Sequence, residues 1–282
     1  MSLKVLACTL ITAALLAPVP AAAASPAGLK LYTMDCGRID EKDADAYADD
    51  GAYKGMARTL IVPCYLIRHP KGDLIWDTGL PQAIHDQPGH RNAYGMSVPA
   101  KLTDQLAQLD LTPADIEYVS VSHSHFDHIG NAGLFAARST WIVDADERAY
   151  AFRPAARAET DEFTSYAALE TAKTIEIEGD APYDVFGDGS VTILQAPGHT
   201  PGHTVLMVRL PKAGPVLLTG DMWHLAESRA ARRVPRFNTD RAQTLRAMDM
   251  IEKLAAETHA RVVRQHVPED FTAMPRFPQA LR

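Results

Sequence analysis

Ile116-Glu117-Tyr118-Val119-Ser120-Val121-Ser122 runs directly into His123-Ser124-His125-Phe126-Asp127-His128, a six-residue stretch holding three imidazoles and a carboxylate. The first segment reads as a buried β-strand, and Gly130 and Asn131 beyond the second suit a turn. The histidine cluster is therefore expected on a loop at a strand's end, where a rigid sheet can aim it. His123 and His125, two residues apart, can grip one ion together, and Asp127 and His128 follow one step further on.

Three more segments complete the pattern. Pro197-Gly198-His199-Thr200-Pro201-Gly202-His203 follows a strand ending near Gln195, Gly220-Asp221 follows one ending at Thr219, and His266 follows the last strand. Each candidate ligand thus falls just past a strand, and strands of a sheet converge on a common edge. Imidazoles with carboxylates suit zinc, and five histidines with two aspartates exceed what one four-coordinate ion takes. The count points to two divalent metal ions. Ions about 3.5 to 4 Å apart need a bridging group, and the two-oxygen carboxylate of Asp221 suits that role. His199 stands nearer the strand end than His203, so His203 reads as a supporting residue. His69, His85, His90 and His259 stand alone and read as ordinary surface or core histidines.

The N-terminus has a basic start at Lys4, an apolar stretch from Val5 to Ala17 and small residues at Ala21 to Ala24. It reads as a signal peptide over residues 1–24, cut around Ala24, since the apolar run is shorter than the roughly 20 residues of a membrane span. A periplasmic or secreted location is the expectation, with residues 25–282 forming one domain. Net charge is −7, and losing Lys4 makes the remainder more acidic, which argues against nucleic acid as a partner. Cys36 and Cys64 would remain, either as a disulfide or as two buried thiols on neighbouring strands.

Two stretches, Leu60–Ile67 and Asp73–Asp77, flank a Pro/Gly turn and predict a β-hairpin; Val205–Leu210 and Val216–Thr219 predict another. Strands are also expected at Leu29–Met34, Thr174–Glu178, Val191–Leu194 and Arg261–Arg264, and helices at 100–109, 144–152, 159–172 and 239–257. Residues 38–55 read as a surface loop, and the unpatterned 81–99 as a lid. Strands recurring in two halves with helices between predict an α/β fold, a two-sheet sandwich covered by helices.

Ser122-His123-Ser124-His125-Phe126-Asp127-His128-Ile129-Gly130-Asn131, together with Asp77-Thr78-Gly79 and Arg233-Val234-Pro235-Arg236-Phe237-Asn238, resembles the N-acyl homoserine lactonase family of the metallo-β-lactamase superfamily, in its exported branch. The resemblance spans Leu29 to His266. It implies an αββα sandwich of two mixed sheets and a binuclear centre with His123, His125 and His199 on one metal. Asp127, His128 and His266 would hold the other, with Asp221 between them. A homodimer is also implied by analogy with relatives. The β-lactamases of the superfamily generally lack the bridging aspartate. Two departures stand out: Gln265 precedes His266 where the family usually has glycine, and His224 stands where cytoplasmic lactonases carry tyrosine.

The chemistry expected is quorum-quenching hydrolysis of a lactone ester. Asp127 would shuttle the proton, Asp221 would bridge the metals, and His224 would stabilise the oxyanion or protonate the leaving group. Phe126 and Trp223 are the expected wall of an acyl-chain pocket, whereas Leu80 and Met222 read as core. Hydrolysis of another ester on the same scaffold, an aryl ester, organophosphate or thioester, is the alternative. A metal-dependent binding protein is the non-enzymatic one.

Overall fold

The protein is described here by a computed structural model covering residues 25–282, so the leader expected over residues 1–24 lies outside the described residues. A seven-stranded sheet is built from β1 (Lys30–Glu41), β2 (Arg58–His69), β3 (Gly72–Trp76), β4 (Met96–Ser97), β5 (Tyr118–Ser120), β6 (Thr140–Asp144) and β7 (Thr174–Ile177). Its order is β4-β1-β2-β3-β5-β6-β7. A five-stranded sheet holds β8 (Tyr183–Asp184), β9 (Val191–Gln195), β10 (Thr204–Leu210), β11 (Gly214–Leu218) and β12 (Arg261–Val263), in the order β12-β11-β10-β9-β8. Both sheets are mixed: β3, β5, β6 and β7 run parallel, as do β11 and β12, and the other pairs are antiparallel.

Side chains alternate between sheet faces, and the sequence exploits that period of two. In β2 and β3, Tyr65, Ile67, Leu74 and Trp76 meet Leu206 and Val208 of β10 and Leu218 of β11 in the core between the sheets. The intervening Leu66 and Ile75 face the other way, into a core shared with α1 (Leu102–Ala107) and α5 (Thr160–Tyr166). On the far side, Val205 and Met207 pack under α7 (Arg241–Thr258) through Ala247, Met248, Ile251 and Ala255. That spacing puts one stripe of the helix on the sheet. Asp240 caps it by accepting from the Gln243 amide, and His259 ends it in the left-handed conformation. The result is the αββα sandwich. The short helices α2 (Phe126–Ile129), α3 (Ala145–Ala151), α4 (Pro154–Ala158), α6 (Ser228–Ala231) and α8 (Pro268–Thr272) lie in the connections.

Three expectations need correction. Strand β1 continues to Glu41, through residues read as loop, because Arg38 to Glu41 pair with Ile61 to Arg58 of β2, and Arg38 and Ile39 also with Ser97 and Met96 of β4. Strand β6 was not anticipated; it is a five-residue, fully buried parallel strand, and such strands lack the alternation that reveals half-buried ones. The segment 81–99 is no lid: one-turn helices at Gln82–Asp86 and Pro88–His90 and the pairing of β4 absorb its length. A disulfide joins Cys36 to Cys64, binding β1 to β2.

Candidate metal centre

The strands of both sheets end at one rim, and the polar residues expected there come together on it. His123 and His125 leave the end of β5, His199 follows β9, Asp221 follows β11 and His266 follows β12. His123, His125, His199 and Asp221 form one group of potential donors, and Asp127, His128 and His266 another, each with ligand atoms within 4.8 Å of one another. Except for half-buried His125, all are buried.

The carboxylate of Asp221 stands between the groups. Its Oδ1 lies 2.8 Å from His266 Nε2 and 3.1 Å from His128 Nε2, while Oδ2 lies 3.3 Å from His199 Nε2 and 3.6 Å from His123 Nε2. In the first group, His125 Nδ1 is 2.8 Å from His123 Nε2 and 3.1 Å from His199 Nε2. Asp127 Oδ2 completes the second at 3.5 Å from His266 Nε2 and 3.8 Å from His128 Nε2.

The tautomers can be read from the outer partners. His266 Nδ1 donates to the Ile61 carbonyl at 2.8 Å, and His128 Nδ1 donates to Asp77 Oδ2 at 3.1 Å. In each ring the Nε2 lone pair then faces inward. Two lone pairs and a carboxylate oxygen converging at such distances repel one another unless a proton or a metal ion lies among them. His128 Nε2 and Asp221 Oδ1 are buried without a hydrogen-bond partner, which is costly for groups that bind no ion. The donor set therefore fits divalent metal. Burial, reinforced by neighbouring imidazoles, holds the His123 and His125 proton affinities well below the usual range, keeping lone pairs available. At His128 burial acts the same way, but Asp221, Asp127 and Asp77 outweigh it and attract positive charge to the ring.

His203 supports this centre from outside. Its Nδ1 donates to the Ala196 carbonyl at 3.1 Å, and Nε2 accepts from the Asp221 amide at 3.1 Å, so both nitrogens are committed and the Asp221 backbone is held. A Cβ at Gly220, where φ is +50°, would lie 2.7 Å from that same Nε2. Only glycine permits the approach.

Two positioning carboxylates were not among the expected site residues, although Asp77 belongs to the Asp77-Thr78-Gly79 stretch that carries the resemblance. Asp77, in the left-handed region at φ 53°, accepts from the Ser122 amide at 2.6 Å as well as from His128. Aspartate tolerates that conformation better than most residues. Glu147, in α3, is 1% exposed. One oxygen accepts from Ser124 N and Oγ, both at 2.7 Å; the other accepts from Thr200 Oγ1 at 2.6 Å and Gly202 N at 3.2 Å. Four donors on two oxygens leave no room for a proton, so the carboxylate stays ionised although burial raises its proton affinity. It ties the loop carrying His123 and His125 to the loop carrying His199. The only trace in sequence is an acid in the first turn of the helix expected over 144–152.

A cavity of about 400 Å³ opens over the centre, with Asp127, Asp221, His224 and His266 in its floor. Phe126 lines it with Ile39, Leu60, Ala156 and Phe237. Among the described residues, none from 81–99 contributes to that lining. Trp223, expected in the wall, is instead 1% exposed in the core under α7, because the turn at Gly220–Met222 directs it away from the rim. Leu80 and Met222 are likewise core residues. His224 Nε2 lies 2.9 Å from Asp221 Oδ2, and its ring stands 5.3 Å from that of Tyr47 and 5.4 Å from that of Phe237. His69, His85 and His90 lie outside the cluster: His69 is bonded to Asp188 at 2.9 Å, and His85 stacks on His90 at 4.0 Å.

Residues 57–266 match the model of the metallo-beta-lactamase superfamily. The chain is 33% identical over 267 residues to N-acyl homoserine lactonase AttM of Azorhizobium caulinodans, covering 89% of this chain and 97% of that protein. It is 30% identical over 210 residues to an N-acyl homoserine lactonase of a Bacillus species, covering 71% and 78%. A solved N-acyl homoserine lactone hydrolase, with N-hexanoyl-L-homoserine as product at its catalytic metal centre, superposes with a TM-score of 0.74. Sequence identity to it is 26%, over 91% of this chain and 100% of that one.

Proposed function

The chain belongs to the metallo-beta-lactamase superfamily and, within it, to the N-acyl homoserine lactonases, and from that premise we propose a binuclear zinc hydrolase that opens N-acyl homoserine lactones outside the cytoplasm. One observation carries the reading: the Asp221 carboxylate turns one oxygen to each of two histidine-rich donor sets. His123, His125 and His199 are assigned to one ion, Asp127, His128 and His266 to the other, and Asp221 to both. Imidazole-rich sets with few carboxylates favour zinc over magnesium or calcium.

When bound, two divalent cations supply a water acidic enough to lose a proton near neutral pH and positive charge against the carbonyl and departing ring oxygens. The protein's own groups do the rest. Asp127, at the cavity floor, takes the proton lost by the attacking water and returns it to the ring oxygen as the C–O bond breaks. The product is the ring-opened hydroxy acid. His224, donating Nε2–H to Asp221, holds the carboxylate in place and presents its other edge to the cavity as a second hydrogen-bonding group. Phe126 and Phe237 offer apolar surface to the acyl chain.

Export is supported by the leader-like residues 1–24 and by the Cys36–Cys64 disulfide, a bond that persists in oxidising compartments. Among the described residues no helix is long and apolar enough to cross a membrane.

Mass-spectrometric detection of ring-opened product over a series of acyl-chain lengths, with elemental analysis of the same preparation, tests the reading. Two zinc ions per chain and ring opening with a preference for acyl homoserine lactones over aryl esters and phosphotriesters are expected. A preference for aryl esters or phosphotriesters, or active protein without stoichiometric metal, would overturn it.

A further inference from the structure

The cavity over the centre carries a tyrosine that the metal chemistry does not use. Tyr47 ends a single 3-10 turn, Ala44–Tyr47, inserted between β1 and β2. Its ring is half-buried, lines the cavity and packs edge-on against Phe237 at 5.5 Å, beside His224. The phenol donates to Glu41 Oε1 at 2.9 Å, and Glu41 lines the same cavity.

This tyrosine is fixed from both sides. Arg236 donates to both carboxylate oxygens of Asp45, at 2.7 and 3.0 Å, and its amide donates to the Ala46 carbonyl at 2.8 Å. Arg233 pairs with Asp50 at 3.1 Å and Arg241 pairs with Asp49. Together these contacts bind the segment carrying Tyr47 to the one carrying Phe237. A group held this way loses little freedom when a ligand meets it.

The direction of the Tyr47 hydrogen bond decides what it can recognise. Its single O–H is spent on Glu41, and burial, with Glu41, Asp127 and Asp221 nearby, pushes its pKa up, so the phenol stays neutral. What it presents is an acceptor. Glu41, Glu159 and Glu162 add further acceptors, while Arg153, the guanidinium in this cavity, is turned onto the ring and carbonyl of Tyr150. Such a wall suits a ligand that brings an N–H. An acyl homoserine lactone carries one on the carbon next to the ring carbonyl; an alkyl lactone carries none.

We propose that Tyr47 is a specificity-determining residue whose phenolic oxygen, oriented by Glu41, accepts the amide N–H of the acyl homoserine lactone. The inference rests on the lactone-opening reading above. It makes selection for an amide-bearing lactone a property of this inserted turn, apart from the metal ligands.

The test uses the metal-loaded enzyme and three substrates: N-hexanoyl homoserine lactone, its N-methylated amide analogue and γ-octalactone. Tyr47→Phe keeps the ring and removes the acceptor. It should raise KM for N-hexanoyl homoserine lactone about three- to ten-fold, the range of one neutral hydrogen bond, leaving kcat and the γ-octalactone rate unchanged. The wild-type enzyme should show the same penalty on the N-methylated analogue, with no further penalty from Tyr47→Phe. This comparison holds even if the variant folds poorly, since the wild type alone must discriminate the two amides. Equal losses on γ-octalactone, additive penalties or an unchanged KM would overturn the inference while wild-type lactone opening keeps the functional reading intact. A wild type that opens none of the three overturns both.

Discussion

Thr200 donates its hydroxyl to Glu147 Oε2 at 2.6 Å, and through that bond the loop of His199 is anchored to the same carboxylate that holds Ser124 between His123 and His125. The spacing of three imidazoles around one potential ion is thus set by a side chain that touches none of them. Glu147→Gln would turn an amide NH₂ towards the donors of one oxygen, and in either orientation one of these, the Ser124 or the Gly202 N–H, cannot rotate away. A buried mismatch of this kind costs about 1–3 kcal/mol. Chelator competition should show metal affinity reduced about 10- to 100-fold, the usual range for groups that orient ligands. Metal retention equal to wild type would show that the loops hold their geometry without Glu147.

Asp77 makes a separate contribution through His128. Asp77→Asn preserves tolerance of the left-handed backbone but removes the negative charge facing the Nδ1–H of His128. Affinity at the site assigned to Asp127, His128 and His266 should fall about 10- to 100-fold, with the other site less affected. Stepwise zinc titration with a chromophoric chelator would resolve the two. Equal weakening of both would contradict the assignment of His128.

The Cys36–Cys64 bond closes a loop with a sequence separation of 28, corresponding to about 3.5 kcal/mol of stabilisation on the chain-entropy relation. Cys36→Ala with Cys64→Ala should lower unfolding free energy by that order in urea titrations, as should reduction of the wild type. The disulfide lies outside the donor sets, so kcat in the folded double variant should remain. A stability unchanged by both treatments would rule out a stabilising role.

Asp144 predicts a pH effect. Burial raises its pKa to about 6 from an ordinary 3.8, against the lowering effect of the Asp146 and Glu147 amides that it accepts as the cap of α3. Between pH 4 and 6 the unfolded chain gives up this proton before the folded one does, so the contribution to stability falls as pH rises through that window. Asp144→Asn keeps an acceptor for the helix and removes the titration. Compared by urea midpoints at pH 4 and pH 7, the variant should gain on the wild type at the higher pH. A constant difference at both would refute the assignment.

The histidine run was legible because its candidate ligands are contiguous and end a strand, and alternation in β2, β3 and β10 exposed the sandwich. Asp221, His199 and His266 could be placed for the same reason, each following an apolar strand. Other features depend on direction, which a one-dimensional pattern does not carry. Trp223 stands two residues from Asp221, yet a single turn sends it into the core. Tyr47 and Glu147 are isolated residues, and their significance comes from what distant segments bring against them. β1 was cut short because its acidic end resembles a loop until β4 is seen beside it.

The arrangement of donors at the rim bears on how the molecule assembles. Of the four side chains in the first set, His123 and His125 come from the seven-stranded sheet and His199 and Asp221 from the five-stranded one. The second is divided likewise, with Asp127 and His128 on one side and His266, with Asp221, on the other. Neither half owns a complete coordination sphere. A divalent cation held by either set would act as a rivet through the seam, so hydrolysis would return only once both halves have docked.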